Sequence, residues 1–166
     1  MRYVFLSFVL LVIFETQLAY AQEAILLIRH AEQMLDVEDP PLTEAGLKRA
    51  EAWTGILEKA GIKAVYTSEK KRTKQTGQII AQGLKVPMES VPRKEVALLI
   101  DKIHEQNADD RVLIVTHKLQ MTKIFSELGL SAEVSEKVTF SKSEYGNLFI
   151  FVPNWGDDGK VLQLRY

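Results

Sequence analysis

Two histidines in this sequence lie just after apolar segments of the kind that form buried strands. Residues 25–28 form one apolar run, which leads into Arg29 and His30. Residues 112–115 form a second, which ends two positions before His117. Ligands of open α/β sheets bind outside the carboxyl ends of the strands. The two imidazoles are therefore expected to converge on one site if their strands are neighbours.

A third segment supplies a second guanidinium. A second strand is predicted at 62–66, just before Ser68, and Arg72 follows within the next turn or two. Guanidiniums match phosphate oxygens in bidentate geometry. One neutral imidazole can attack phosphorus and form a phosphohistidine, and a second, protonated imidazole can neutralise developing charge. The hydroxyls of Ser68 and Thr116 are possible further donors, so the pattern predicts phosphoryl transfer with built-in cations.

Composition narrows the alternatives. The chain has 166 residues, which indicates one domain, and a formal net charge of -1 from 21 Lys+Arg and 22 Asp+Glu. This balance gives no electrostatic footprint for nucleic acid, so no nucleic-acid partner is expected. The absence of cysteine excludes disulfides, thiolate metal sites and a Cys nucleophile. No cluster of metal ligands follows the strands, and neither a metal nor another cofactor is expected.

Residues 1–21 have the layout of a secretory signal. Arg2 provides the positive start, an apolar run follows, and Ala19-Tyr20-Ala21 fits a small-x-small cleavage site before Gln22. A buried helix or a membrane anchor is the alternative, but the run is shorter than the roughly 20 residues that cross a bilayer. We therefore expect a mature domain of residues 22–166, periplasmic or secreted, with no stable membrane anchor after cleavage.

Strand and helix patterns alternate along the mature chain. Short apolar runs predict strands, and helical spacing between them predicts helices that end at Gly61, Gly83 and Gly129. The expected strands are 24–28, 62–66, 111–115, 148–152 and 161–164, with a short extended piece at 86–91. The expected helices begin after Thr43 and cover 70–82, 96–103 and 119–128. This order predicts a three-layer α/β/α sandwich with a mostly parallel sheet.

Four short motifs occur in order along the sequence. They are RHAE at 29–32, LTEAG at 42–46, SEKKRTKQT at 68–76 and VTHK at 115–118. Together they resemble the histidine phosphatase superfamily, also called the phosphoglycerate mutase-like family, over residues 24–152. The resemblance implies a metal-independent phosphatase with that α/β sandwich fold, in which His30 is the nucleophile. It assigns the phosphate pocket to Arg29, Arg72 and His117, with Ser68 as a further phosphate-binding candidate.

The spacing within the chain indicates which members it resembles. His30 and Arg72 are 42 positions apart, and Arg72 and His117 are 45 apart. This leaves no room for large insertions, so the chain resembles small members such as the phosphohistidine phosphatases. The expected partner is a phosphorylated small molecule or a phosphoprotein, and the expected substrates are phosphomonoesters or phosphoramidates.

The sequence departs from the family pattern in three places. Ala31 and Lys118 replace the glycines that follow the two histidines, which is expected to bear on the shape of the pocket. The family often places a carboxylate general acid between the pocket arginine and the second histidine. Glu89 and Glu95 are the candidates here, although no motif surrounds either. The alternative function is a catalytically silent phosphate-binding or interaction protein on the same fold.

Overall fold

The computed structural model describes residues 23–130, 141, 143–153 and 159–166, and the predicted signal segment lies outside them. Six strands and four helices alternate along the described chain. In order they are β1 (Ala24–Arg29), α1 (Glu44–Leu57), β2 (Ile62–Thr67), α2 (Lys71–Leu84), β3 (Met88–Ser90), α3 (Val96–Gln106), β4 (Arg111–Thr116), α4 (Lys118–Glu127), β5 (Asn147–Val152) and β6 (Lys160–Arg165). None of the helices described is long and apolar enough to cross a membrane.

All six strands form one sheet in the order β3-β2-β4-β1-β5-β6. The first four are mutually parallel, and β5 and β6 join as an antiparallel hairpin. The mostly parallel sheet predicted from the sequence is confirmed. The strands before the two histidines are neighbours, and their register pairs Arg29 with Thr116. His30 and His117 therefore leave the sheet side by side at its carboxyl edge.

Helices cover both faces of the sheet, as the predicted three-layer sandwich requires. On one face α1 and α2 pack Trp53, Leu57 and Ile80 against alternate residues of the central strands. On the other face α3 and α4 contribute Ile103 and Phe125 to the second core. Strands buried on both sides need continuous apolar sequence, which explains why β1 and β4 show no polar alternation.

Glycines end the helices less uniformly than expected. Gly61 and Gly129 adopt positive φ just beyond α1 and α4, as the sequence predicts. The prediction that Gly83 ends α2 is wrong, because the helix continues to Leu84 and Lys85 takes the left-handed position instead. A Cβ at Gly83 would lie 2.3 Å from the Cγ2 of Thr54, so this glycine permits the close contact of α1 and α2.

The late strands pair as predicted, although residues 154–158 of their turn lie outside the described residues. The antiparallel contact of β5 with β1 brings Leu148 opposite Ile28. The residues immediately before β5 are thus carried to the edge where His30 and His117 lie. The segment before β5 is therefore able to contact the residues of the site.

Gly46, in the first turn of α1, is expected to be intolerant of any side chain. A Cβ there would lie 2.2 Å from the carbonyl oxygen of Glu32, which also accepts the Thr43 amide hydrogen. We expect Gly46→Ala to destabilise the protein by about 1–3 kcal/mol, because backbone must shift. Urea unfolding measures the change. Gly55→Ala is the matched control on the same helix, since apart from the neighbouring residues and the helix's own backbone no atom lies within 4 Å of that Cβ position.

The control variant should gain about 0.5–1 kcal/mol of stability, because alanine is the better helix former. Equal unfolding midpoints for the two variants would show that the contact between Gly46 and Glu32 is not a rigid one.

Candidate active site

Arg72 lies between the two histidines. Its Nε donates to His30 Nε2 at 3.2 Å, and its Nη2 lies 3.3 Å from His117 Nδ1. A guanidinium only donates hydrogen bonds, so both of these ring nitrogens present lone pairs. The two imidazole rings meet edge to face, with centroids 5.2 Å apart. One edge of a single guanidinium therefore spans the two imidazoles.

The tautomer of His30 follows from its other nitrogen. Nδ1 lies 2.8 Å from the carbonyl oxygen of Ala31, which can only accept. The proton is consequently on Nδ1, and Nε2 keeps its lone pair toward the site. The backbone amide of His30 donates to the carbonyl oxygen of Thr116 at 2.9 Å, which extends the β1–β4 ladder by one bond. His30 is thus held by backbone atoms on both sides and is 3% exposed.

The tautomer of His117 is the opposite one. Because Nδ1 accepts from Arg72, Nε2 carries the proton and donates to the Ser68 hydroxyl at 3.0 Å. The Ser68 hydroxyl donates in turn to Thr73 Oγ1 at 2.7 Å, and the Thr73 hydroxyl donates to the carbonyl oxygen of Lys70. Ser68 was expected to bind phosphate. In the structure its buried hydroxyl instead holds the far side of His117.

Burial and nearby cations keep both imidazoles neutral. Burial, followed by the charges of Arg29 and Arg72, lowers the pKa of His30 to about 4, although its bond to Ala31 opposes the change. Burial and the charge of Arg72 lower the pKa of His117 to about 3, with smaller contributions from His30 and Arg93. A protonated His117 was expected from the sequence, for charge neutralisation. Here the ring is neutral at pH 7, because it is buried and lies beside the Arg72 guanidinium.

Arg29 is held from the segment before β5. Its Nη1 donates to the carbonyl oxygen of Glu144 at 3.3 Å, and its Nη2 lies 3.5 Å from the Tyr145 hydroxyl. The guanidinium carbon lies 4.1 Å from the centre of the Tyr145 ring. The same ring lies 6.1 Å from the His30 ring. Tyr145 therefore contacts two of the predicted site residues, although the sequence analysis did not select it.

Asp39 is a second residue that the sequence analysis did not select. Its carboxylate pairs with Arg72 Nη1 at 3.8 Å and accepts the Lys71 amide hydrogen at 3.2 Å. Nη1 is the nitrogen of Arg72 that contacts neither histidine. Asp39 thus holds the back of the guanidinium while the front edge faces the imidazoles. Its positive φ of 46° bends the loop toward α2.

The two residues that replace family glycines have ordinary backbone conformations, since neither Ala31 nor Lys118 has positive φ. The Ala31 methyl group is fully buried against Leu42 and Ala50. Its amide donates to Thr76 Oγ1 at 3.1 Å. Alanine is accommodated at this position because its side chain joins a small apolar cluster away from the histidines. Lys118 is the first residue of α4 and is half-buried.

The two general-acid candidates are placed differently. Glu89 forms an ion pair with Lys102 and borders a groove with Tyr66 and Gln106 at the edge of the sheet. The structure does not bring it to the histidines. Glu95 is exposed at the start of α3 and borders a narrow crevice that also includes Ser68. Glu95 is therefore the nearer candidate, but its side chain forms no hydrogen bond or ion pair with the predicted site residues.

Within the residues that the structure describes, no group of three or more His, Cys, Asp or Glu could hold a metal ion. The predicted set of Arg29, His30, Arg72 and His117 comes together at the sheet edge. The two guanidiniums can bind a phosphate group, and the ring nitrogen lone pairs that face Arg72 can be offered to phosphorus once Arg72 donates to the phosphate instead.

Comparison with known proteins finds one family model and several solved structures that are similar to this chain. Residues 25–95 match the sequence model of the histidine phosphatase superfamily (branch 1). No curated protein matches the chain in sequence. Three solved structures with the same fold are a proposed α-ribazole-5′-phosphate phosphatase from Escherichia coli, a proposed phosphohistidine phosphatase SixA from Agrobacterium tumefaciens, and a mycobacterial glucosyl-3-phosphoglycerate phosphatase.

These three structures are similar in fold at low sequence identity. In the same order, the TM-scores are 0.69, 0.62 and 0.68, and the identities are 15%, 17% and 12%. Each alignment covers 87% of this chain, and it covers 96%, 98% and 98% of the respective relatives. The matching family model and the phosphatases with the same fold support a phosphatase enzyme. Over residues 25–95 in sequence, and in its fold, the chain is similar to the histidine phosphatase superfamily.

Both active-site imidazoles are expected to remain neutral in solution down to about pH 5. An ordinary histidine, with a pKa near 6.5, is almost fully protonated there. Burial and the adjacent guanidiniums lower both pKa values, so protonation should begin only in more acidic solution. NMR chemical shifts of the ring Cε1–H groups between about pH 7.5 and pH 5 measure this, with His30→Asn and His117→Asn assigning the signals.

Arg72→Gln tests the cause of the shifts. Removing this charge should raise the pKa of both imidazoles, because Arg72 lowers each of them. Wild-type midpoints near 6.5 would contradict the geometry described for the site.

Proposed function

We propose that this phosphatase acts without a metal, through a phosphohistidine formed on Nε2 of His30. The observation that carries the proposal is the tautomer of His30, whose proton is held on Nδ1 by the Ala31 carbonyl oxygen at 2.8 Å. Nε2 is left as the nucleophilic atom at the edge of the site. Arg29 and Arg72 bind the phosphate oxygens beside it, since their guanidiniums flank the ring.

In the first step the Nε2 lone pair forms a bond to phosphorus. The bond from phosphorus to the leaving oxygen or nitrogen breaks, and the electron pair departs with the leaving group. The bound phosphate displaces Arg72 Nε from Nε2, and the same guanidinium edge then donates to phosphate oxygens. The phosphorylated ring keeps its Nδ1 proton and carries a positive charge, which the Ala31 carbonyl oxygen stabilises.

In the second step a water oxygen attacks phosphorus and the bond to Nε2 breaks, so its electron pair returns to the ring. One water proton passes to solvent, and inorganic phosphate is released. The positive charge on the phosphorylated ring favours departure of Nε2, because a neutral imidazole leaves. His117 contributes a hydrogen bond to the phosphate through its Nδ1 atom. The negative charge of the phosphate raises the pKa of this ring again, so that a protonated Nδ1 can donate to a phosphate oxygen.

The substrates we propose are phosphomonoesters or phosphoramidates with a leaving group that departs readily. Neither Glu89 nor Glu95 forms a hydrogen bond or an ion pair with Arg29, His30, Arg72 or His117, so a carboxylate proton donor is not part of the proposal. Without such a donor, departure depends on the acidity of the leaving group itself. The similarity to a proposed phosphohistidine phosphatase agrees with a phosphoramidate substrate, and the similarity to a glucosyl-3-phosphoglycerate phosphatase agrees with a phosphomonoester.

The nucleophile can be tested by rapid-quench labelling with an aryl phosphate. The wild-type protein should accumulate acid-labile, base-stable phosphate on one residue, and His30→Ala should give neither labelling nor turnover. Phosphate binding measured on the same variant, with circular dichroism as the folding control, separates chemistry from binding. Phosphate binding without any labelling or turnover in the wild type would favour the silent phosphate-binding alternative, and normal turnover by His30→Ala would remove the proposed nucleophile.

The absence of a carboxylate acid predicts a strong dependence on the leaving group. Across aryl and alkyl phosphates, log kcat/KM should fall steeply as the pKa of the leaving group rises. Glu89→Gln serves as the control, because its ion pair with Lys102 lies away from the histidines. Glu95→Gln should likewise change rates by less than about threefold, since its side chain forms no hydrogen bond or ion pair with the site residues.

Arg72→Ala shows how large a loss of rate to expect when a residue of the phosphate pocket is removed. It should lower the rate by about 10²–10³, the usual consequence of losing one preorganised donor. A flat dependence on the leaving group, with a comparable loss in Glu95→Gln, would show that Glu95 is the acid.

A further inference from the structure

We propose that Tyr145 is a positioning residue for the phosphate site, and that its ring sets the orientation of the Arg29 guanidinium. This inference rests on the proposed function, because Arg29 must bind phosphate for its orientation to matter. None of the four sequence motifs includes Tyr145, and it is the contacts of its ring that indicate a positioning role.

The ring is placed to act on Arg29 by stacking. The guanidinium carbon lies 4.1 Å from the ring centre, well within the roughly 6 Å at which a cation is attracted to an aromatic face. The hydroxyl is less suited to hold Arg29, because its 3.5 Å contact with Nη2 is at the limit of hydrogen bonding. The aromatic face is therefore the part of Tyr145 that fixes the plane of the guanidinium.

A second contact fixes the guanidinium within that plane. Nη1 of Arg29 donates to the carbonyl oxygen of Glu144, the residue before Tyr145. Stacking sets the tilt of the group, and this hydrogen bond sets its rotation. A planar fork that is held in both respects loses less conformational entropy when it binds phosphate oxygens.

The segment that carries Tyr145 is itself anchored. The backbone of Gly146 accepts from the Tyr166 amide at 2.9 Å, and a Cβ at Gly146 would lie 2.2 Å from the Tyr166 carbonyl oxygen. On the other side, the Glu144 carboxylate accepts the Ser141 amide hydrogen at 2.9 Å. These contacts hold the chain in place as it enters β5, so the ring can act as a fixed support.

Tyr145 also lies close to the nucleophile. Its ring centre is 6.1 Å from that of His30, at an angle of 58°. The phenol thus packs over the side of the site formed by Arg29 and His30, which are consecutive residues. Loss of the ring should therefore affect both the binding of phosphate and the rate of its transfer, through Arg29.

The test uses Tyr145→Phe and Tyr145→Leu. Inorganic phosphate and orthovanadate binding are measured by calorimetry, and kcat and KM are measured with an aryl phosphate. Tyr145→Phe keeps the aromatic face and should remain within about twofold of the wild type. Tyr145→Leu should weaken phosphate binding and raise KM by about 3- to 30-fold, the range of a partly desolvated cation–π contact, and should also lower kcat.

A double-mutant cycle with Arg29→Lys tests whether Tyr145 acts through Arg29. A lysine keeps the charge but has no planar group to orient, so Tyr145→Leu should have little further effect in that background. An equal loss in both backgrounds would overturn the proposal, and so would a Phe variant as impaired as the Leu variant. Tyr145→Met, whose side chain is longer and more adaptable than that of leucine, replaces Tyr145→Leu if thermal unfolding shows that the latter is not folded.

The two proposals fail in different ways. Failure of the wild-type protein to bind phosphate or vanadate would contradict the proposed function. Normal wild-type binding and turnover, unchanged in Tyr145→Leu, would overturn only the positioning role of Tyr145.

Discussion

The site depends on one constraint, which is that a single guanidinium donates to the lone pairs of two buried imidazoles. Arg72 contacts Nε2 of His30 and Nδ1 of His117, and neither ring can be protonated at those atoms while the contacts hold. Burial alone would favour neutral rings, and the adjacent charge strengthens that preference. The remaining polar contacts of the site keep these three side chains in this arrangement, because each fixes an atom that Arg72 leaves free.

Helix α2 provides most of that support from its first two turns. Thr73 accepts from Ser68 and so holds the residue that fixes His117. Thr76 accepts the amide hydrogen of Ala31, whose carbonyl oxygen fixes His30. Arg72 directly precedes Thr73 in sequence and lies between the two histidines in space. The spacing of the SEKKRTKQT motif is thus explained by hydrogen bonds, since one helix must reach both strand ends at once.

Sequence patterns predicted the parts of the site that follow directly from strand ends. The apolar runs before His30 and His117 locate two strands, and the carboxyl-edge rule then places both rings together. The same reasoning could not find Tyr145, whose contact with Arg29 joins residues that are 116 positions apart. Asp39 was missed because its contact with Arg72 depends on a bend at positive φ within a polar loop. Gly83 was read as a helix end, whereas contact with Thr54 is the reason for it.

The sequence predicted a protonated His117, whereas both imidazoles are neutral in the structure. The position of the proton on His30 then bears on whether the site only binds phosphate or also transfers it. A pocket that only bound phosphate would be served best by groups that donate, and a nitrogen lone pair facing an anion is repelled by its oxygens. His30 presents such a lone pair, and its proton is held on the opposite nitrogen by a backbone carbonyl. This tautomer weakens simple anion binding, but attack on phosphorus requires it. The arrangement around His30 therefore favours catalysis over silent binding, even with alanine and lysine in place of the family's glycines.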